Sequence, residues 1–141
     1  MASLTAAIVL HHALLAVNPS SYHAALSDAQ ANHRPLLVLV GASWCPGCRT
    51  MKQSVLPGLA RRGALQSVSF AAVDSDAEAE VARQLMRGGS IPQLIAFSQT
   101  ADGKWHREQI IGATSEQEVQ SLIARALQVQ QPAAASGAIG N

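Results

Sequence analysis

Trp44-Cys45-Pro46-Gly47-Cys48 constrains this chain more than any other stretch. It holds both cysteines of the 141 residues. It follows the apolar run Leu36 to Val40, and Arg49 to Leu56 beyond it can form a helix. A Cys-x-x-Cys at a strand-to-helix junction puts the first sulfur at a helix N-terminus. Free backbone N–H groups and the positive end of the helix dipole stabilise a thiolate there. The second sulfur is then within reach to close a disulfide, an arrangement suited to reversible thiol–disulfide exchange.

The length fits one domain with a core that needs no staples. A net charge of +1 gives no bulk attraction to nucleic acid or to a membrane surface. Two cysteines in one motif are not a disulfide scaffold, and no further ligands lie at the short spacing of a four-thiolate zinc site. The histidines, His11, His12, His23, His33 and His106, include no pair at ligand spacing beyond two adjacent residues. No metal and no bound organic cofactor is expected.

Residues 1–17 carry two readings. Leu4 to Val17 is apolar apart from Thr5 and His11-His12. It reads as a signal peptide cut near Ala16, although the first basic residue of the chain is Arg34. It reads equally as a loose end leading into a first strand, Leu14 to Val17. It is short for a stable membrane span. An exported and a cytoplasmic location both stand.

Residues 18–130 form the folded unit. Asn18-Pro19-Ser20-Ser21 is a turn and helix cap, and Tyr22, Ala25, Leu26 and Ala29 follow helical spacing. Arg34-Pro35 stops that helix. Leu36 to Ala42 suits a central strand buried on both faces. Pro46 opens the next helix, where its missing N–H is harmless. Leu56-Pro57-Gly58 ends or kinks that helix, and Leu59 to Arg62 adds a short turn. Val68 to Val73 is a strand, Ala77 to Arg87 a helix closed by Gly88-Gly89, and Gln93 to Ser98 a strand. Asp102-Gly103 turns into an edge strand, Lys104 to Ile111. Ser115 and Glu118 form a capping box for a last helix with the stripe Val119, Leu122, Ile123, Ala126 and Leu127. Residues 131–141 are an Ala/Gly/Pro/Ser-rich tail, expected to be disordered. The order gives an α/β protein, a mixed sheet flanked by helices.

Four features in this order resemble the thioredoxin-fold family. They are Trp44-Cys45-Pro46-Gly47-Cys48, Val73-Asp74 ending the next strand, Ile91-Pro92, and Gly112-Ala113-Thr114-Ser115 before the last helix. The resemblance runs from about Tyr22 to Gln130. It implies a thioredoxin fold with a central mixed sheet, and a redox-active disulfide between Cys45, the nucleophile, and Cys48, the resolving cysteine. Trp44 would flank the site. Pro92 would be cis, and the backbone of Ile91 would pair with a substrate chain. Protein disulfides or dithiols, with an electron donor or acceptor, would be the partners of a monomer. The chain also departs from standard housekeeping thioredoxins. Pro46-Gly47 replaces their Gly-Pro. Leu39 stands where they bury an acid, and Phe70 where a lysine pairs with it. Gln93 follows the proline where they carry threonine.

The residues add an electrostatic reading. From Ala29 to Val73 there is no acid, but there are Arg34, Arg49, Lys52, Arg61 and Arg62. Arg49 lies one helical turn past Cys45. A helix terminus, nearby cations and no local acid favour the thiolate, and such cysteines titrate at about 3.5–7.5. Asp74 reads as a strand-end turn residue. Two alternatives to the oxidoreductase stand. One is a metal-handling module whose thiolates hold Cu(I) or bridge zinc. The other is a binding module whose cysteines form only a structural disulfide.

Overall fold

The computed structural model describes residues 20–131. The apolar run becomes β1 (Leu36–Gly41), every residue of it buried. It runs parallel to β2 (Ser69–Asp74) and antiparallel to β3 (Gln93–Gln99), which pairs antiparallel with β4 (Trp105–Ile111). The sheet order is β2-β1-β3-β4, so β1 is interior and the hairpin strand β4 is an edge. A strand with neighbours on both sides and helices on both faces has no wet side, which is why β1 reads as a continuous apolar run.

Alternation along β1 divides the core in two. Leu36, Val38 and Val40 pack under α1 (Tyr22–Ala31) and α4 (Ala79–Leu85). Leu37 and Leu39 pack under the turn Met51–Val55 that follows α2 (Pro46–Thr50), under α3 (Leu56–Arg61) and under α5 (Glu116–Gln130), with Met51, Leu56, Leu59 and Leu122. Each fully buried side chain of this size contributes about 1.5–3 kcal/mol. Ser21 Oγ accepts from the Ala24 N–H at 3.2 Å, and Ser115 Oγ accepts from the Glu118 N–H at 3.2 Å. Both helix starts lie where the sequence places them.

Two helix boundaries differ from the sequence reading. Leu56-Pro57-Gly58 does not end the motif helix. Met51–Val55 adopts a π-helical turn, with the Leu56 N–H donating to the Met51 carbonyl, and the chain continues into α3. A proline lacks the N–H and crowds the preceding turn, and a π turn accommodates both defects without stopping the helix. Gly58 is buried there against the Glu116 carboxylate, which a Cβ would meet. The helix expected over Ala77 to Arg87 is shorter at both ends. Asp74 turns the chain first, and Met86 is already extended, so Gly88-Gly89 lies in a loop beyond α4. The signal-peptide or first-strand segment and the tail from residue 132 fall outside the described residues. Among the described residues, no helix is long and apolar enough to cross a membrane.

Candidate functional site

Cys45 is the N-cap of α2, with extended backbone at φ −87° and ψ 118°. Pro46 follows as the first helical residue, so the helix begins without losing a donor. The Cys48 N–H, one of the groups every helix start leaves free, donates to Cys45 Sγ at 3.2 Å. Cys45 and Cys48 form a disulfide, with Cα atoms 5.2 Å apart. Cys48 is fully enclosed and Cys45 is 5% exposed. Cys45 is thus nearly enclosed although it stands at a helix terminus. Ala42 and Ile91 pack around both sulfurs. Gly41 makes room for them, since a Cβ there would lie 2.8 Å from Cys48 Sγ.

A second wall faces the sulfurs. The Ile91-Pro92 peptide is cis, and the Ile91 carbonyl oxygen lies 3.9 Å from Cys45 Sγ. Gly47 brings the helix against this wall, where a Cβ would meet Pro92 Cδ at 3.2 Å and Ala113 Cβ at 3.4 Å. The segment before α5 closes the side. The Gly112 N–H donates to the Pro92 carbonyl at 2.8 Å, and the Thr114 N–H points at Met51 Sδ at 3.4 Å. Trp44 stands on the rim, 64% exposed, with its indole N–H donating to Asp76 Oδ2 at 2.8 Å. The fold thus gathers Trp44, Cys45, Pro46, Gly47, Cys48, Ile91 and Pro92. Arg49 joins through its backbone N–H, which donates to the Cys45 carbonyl at 3.1 Å, while its side chain is exposed.

Three of the five cations of the acid-free stretch meet acids or carbonyls elsewhere in the fold. Arg34 lies 3.8 Å from Asp28 and donates to the Gln66 carbonyl at 3.3 Å. Arg62 pairs with Glu116 at 2.6 Å. The field of Lys52 falls on Asp74. A stretch free of acids in sequence meets acids from other elements in space. Asp74 Oδ1 accepts from the backbone N–H groups of Ala77 and Asp76, and these bonds hold its carboxyl below the usual range, with Lys52 adding to the effect. At Cys45 itself the structure supplies the helix start and the Cys48 N–H.

Leu39 is fully buried on the β1 face that also carries Gly41, opposite Ala72 and Leu94. Phe70 packs against the same apolar cluster. No carboxylate enters the core from these two positions. Gln93 is fully buried, and its amide bonds the backbone of Arg87 and Ser90. Gly41 and the contacts of Gln93 are parts of the site that the sequence reading missed. Glycine at a strand end gives a weak signal for the first, and nothing in the sequence announces the second. Among the described residues, no three of His, Cys, Asp and Glu cluster closely enough to share a metal ion.

A family model described as a thioredoxin-like domain matches residues 22–127. No curated protein sequence matches the chain. Among solved structures, a thioredoxin from Thermus thermophilus is similar at 27% identity and a TM-score of 0.62, over 76% of this chain and 84% of that one. A Trichomonas vaginalis thioredoxin is similar at 25% identity and a TM-score of 0.59, over 76% and 92% of the two chains. A Fasciola hepatica thioredoxin is similar at 26% identity and a TM-score of 0.55, over 72% and 89%.

Proposed function

Since the chain belongs to the thioredoxin-like domain family, we propose that it is a protein thiol–disulfide oxidoreductase cycling Cys45 and Cys48 between dithiol and disulfide. One observation carries this reading. The Cys45 sulfur sits at a helix N-terminus on the Cys48 N–H, bonded to Cys48 and beside the Ile91 backbone.

In the reducing direction, the Cys45 thiolate attacks one sulfur of a substrate disulfide. A mixed disulfide forms, and the other substrate sulfur leaves as a thiolate and takes a proton. Cys48 then loses its proton and attacks Cys45 Sγ. The second substrate thiolate departs, and the Cys45–Cys48 disulfide remains. Two electrons have passed to the substrate, and a dithiol donor returns them to the protein. The scheme uses no bound cofactor. With Leu39 and Phe70 in the core, the Cys48 proton goes to water, to the departing thiolate or to a substrate group.

The test is equilibration in glutathione buffers with alkylation of free thiols, together with insulin reduction. A reversible Cys45–Cys48 couple and insulin reduction that disappears in Cys45→Ser would support the reading. A chain that never forms the disulfide reversibly would overturn it.

A further inference from the structure

Gln93 is a buried polar side chain beside the site. Its backbone belongs to β3 and is held between Val40 of β1 and Ile111 of β4. Its side chain leaves the sheet and bonds a loop. Oε1 accepts the Arg87 N–H at 3.1 Å, and Nε2 donates to the Arg87 carbonyl at 3.0 Å and the Ser90 carbonyl at 2.9 Å. Both amide donors are used, and burial of an amide is tolerated only when partners replace water in this way.

The loop is otherwise poorly restrained. Arg87 to Ser90 is exposed. Gly88 has φ +75°, and a Cβ on Gly88 or Gly89 would meet nothing within 4 Å. Ile91, whose carbonyl faces Cys45 Sγ, is the next residue. We infer that Gln93 is a positioning residue: its amide ties the Arg87–Ser90 loop to the central sheet, so that the Ile91 backbone is held ready for an extended protein substrate. This rests on the oxidoreductase reading and assigns protein recognition to a side chain that touches neither sulfur.

Gln93→Leu keeps the bulk and removes the amide. Arg87 to Ser90 are exposed, so the freed loop groups should be hydrated and the fold should survive, which circular dichroism checks. Removing bonds of this kind should raise KM for insulin about five- to tenfold with kcat little changed. A small aromatic disulfide, which needs no backbone pairing, should react within about twofold of the unaltered rate, and so separate binding from chemistry. The Arg87 amide should exchange hydrogen faster. Adding Gly89→Ala, which restricts the loop, should recover part of the insulin KM. Equal losses on both substrates would make Gln93 a fold residue only, and unchanged KM would remove the clamp. Failure of the unaltered chain to cycle its disulfide is a different result. It would overturn the oxidoreductase reading, whereas Arg87 exchange would still report whether Gln93 ties the loop.

Discussion

The two walls of the site are held by opposite means. The cysteine wall is held by packing: Cys48, Met51 and Leu39 are fully buried, and Gly41 is there because nothing larger fits against Cys48. The Ile91 wall is anchored on one side by β3 and the Gly112 N–H on the Pro92 carbonyl, and on the other it runs into an exposed glycine loop tied by one side-chain amide. A packed wall cannot adjust without repacking the core. A tethered loop can. The contrast suggests that sulfur chemistry and substrate recognition are separable here, and each wall can be perturbed alone.

The largest effect lies in the chemistry. Cys45→Ser should take insulin reduction to background, because a hydroxyl neither ionises at neutral pH nor forms the mixed disulfide. Cys48→Ser should leave a first step that proceeds and then stalls, visible by mass spectrometry as a trapped Cys45–substrate adduct. An adduct on Cys48 in the Cys45→Ser variant would reverse the two roles.

Next come the glycines of the two walls. Gly41→Ala puts a methyl 2.8 Å from Cys48 Sγ. Neither β1 nor α2 can yield easily, so the cost should be about 1–3 kcal/mol by denaturant unfolding. Gly89→Ala enters open space and should leave stability within about 1 kcal/mol, on the favourable side if it changes at all. Equal costs at the two positions would mean that the walls are not held differently.

Much of this was legible in the sequence. The uninterrupted run Leu36 to Val40 identified an interior strand, and Pro46 after Cys45 identified a helix start. Ser21 and Ser115 marked two more helix starts. These are local signals, set by backbone donors and burial within a few residues. The rest depends on what distant segments bring. In sequence Arg34, Lys52 and Arg62 make the motif electropositive, but in the fold Asp28 and Glu116 pair with the two arginines and the charge of Lys52 acts on Asp74. Pro57 looked like a stop because a π turn has no sequence signature. Gln93 looked like a departure from threonine, and its partners became visible only once the Arg87–Ser90 loop was placed beside it.

The smallest effect tests whether the acidic rim belongs to the chemistry. Asp74 ends β2 and accepts two backbone N–H groups, at 2.8 Å and 3.0 Å. These bonds lower its pKa in the folded chain, and Lys52 contributes. A carboxylate with a lowered folded pKa adds stability above its unfolded value, about 3.9, and that share is lost as pH falls through the folded value. Asp74→Asn should therefore be less stable than the unaltered chain at neutral pH. The gap should begin to close as pH falls below about 4, where the unfolded carboxyl protonates, and should vanish once pH is below the lowered folded value, where the native carboxyl is protonated too. The Asp74 carboxylate bonds backbone N–H groups of its own turn and not a sulfur, so insulin reduction by Asp74→Asn at pH 7 should stay within about twofold of the unaltered rate. A large fall in rate with stability nearly intact would place Asp74 in proton transfer. It would also show that the rim works with the sulfurs, in which case packing alone does not govern the cysteine wall.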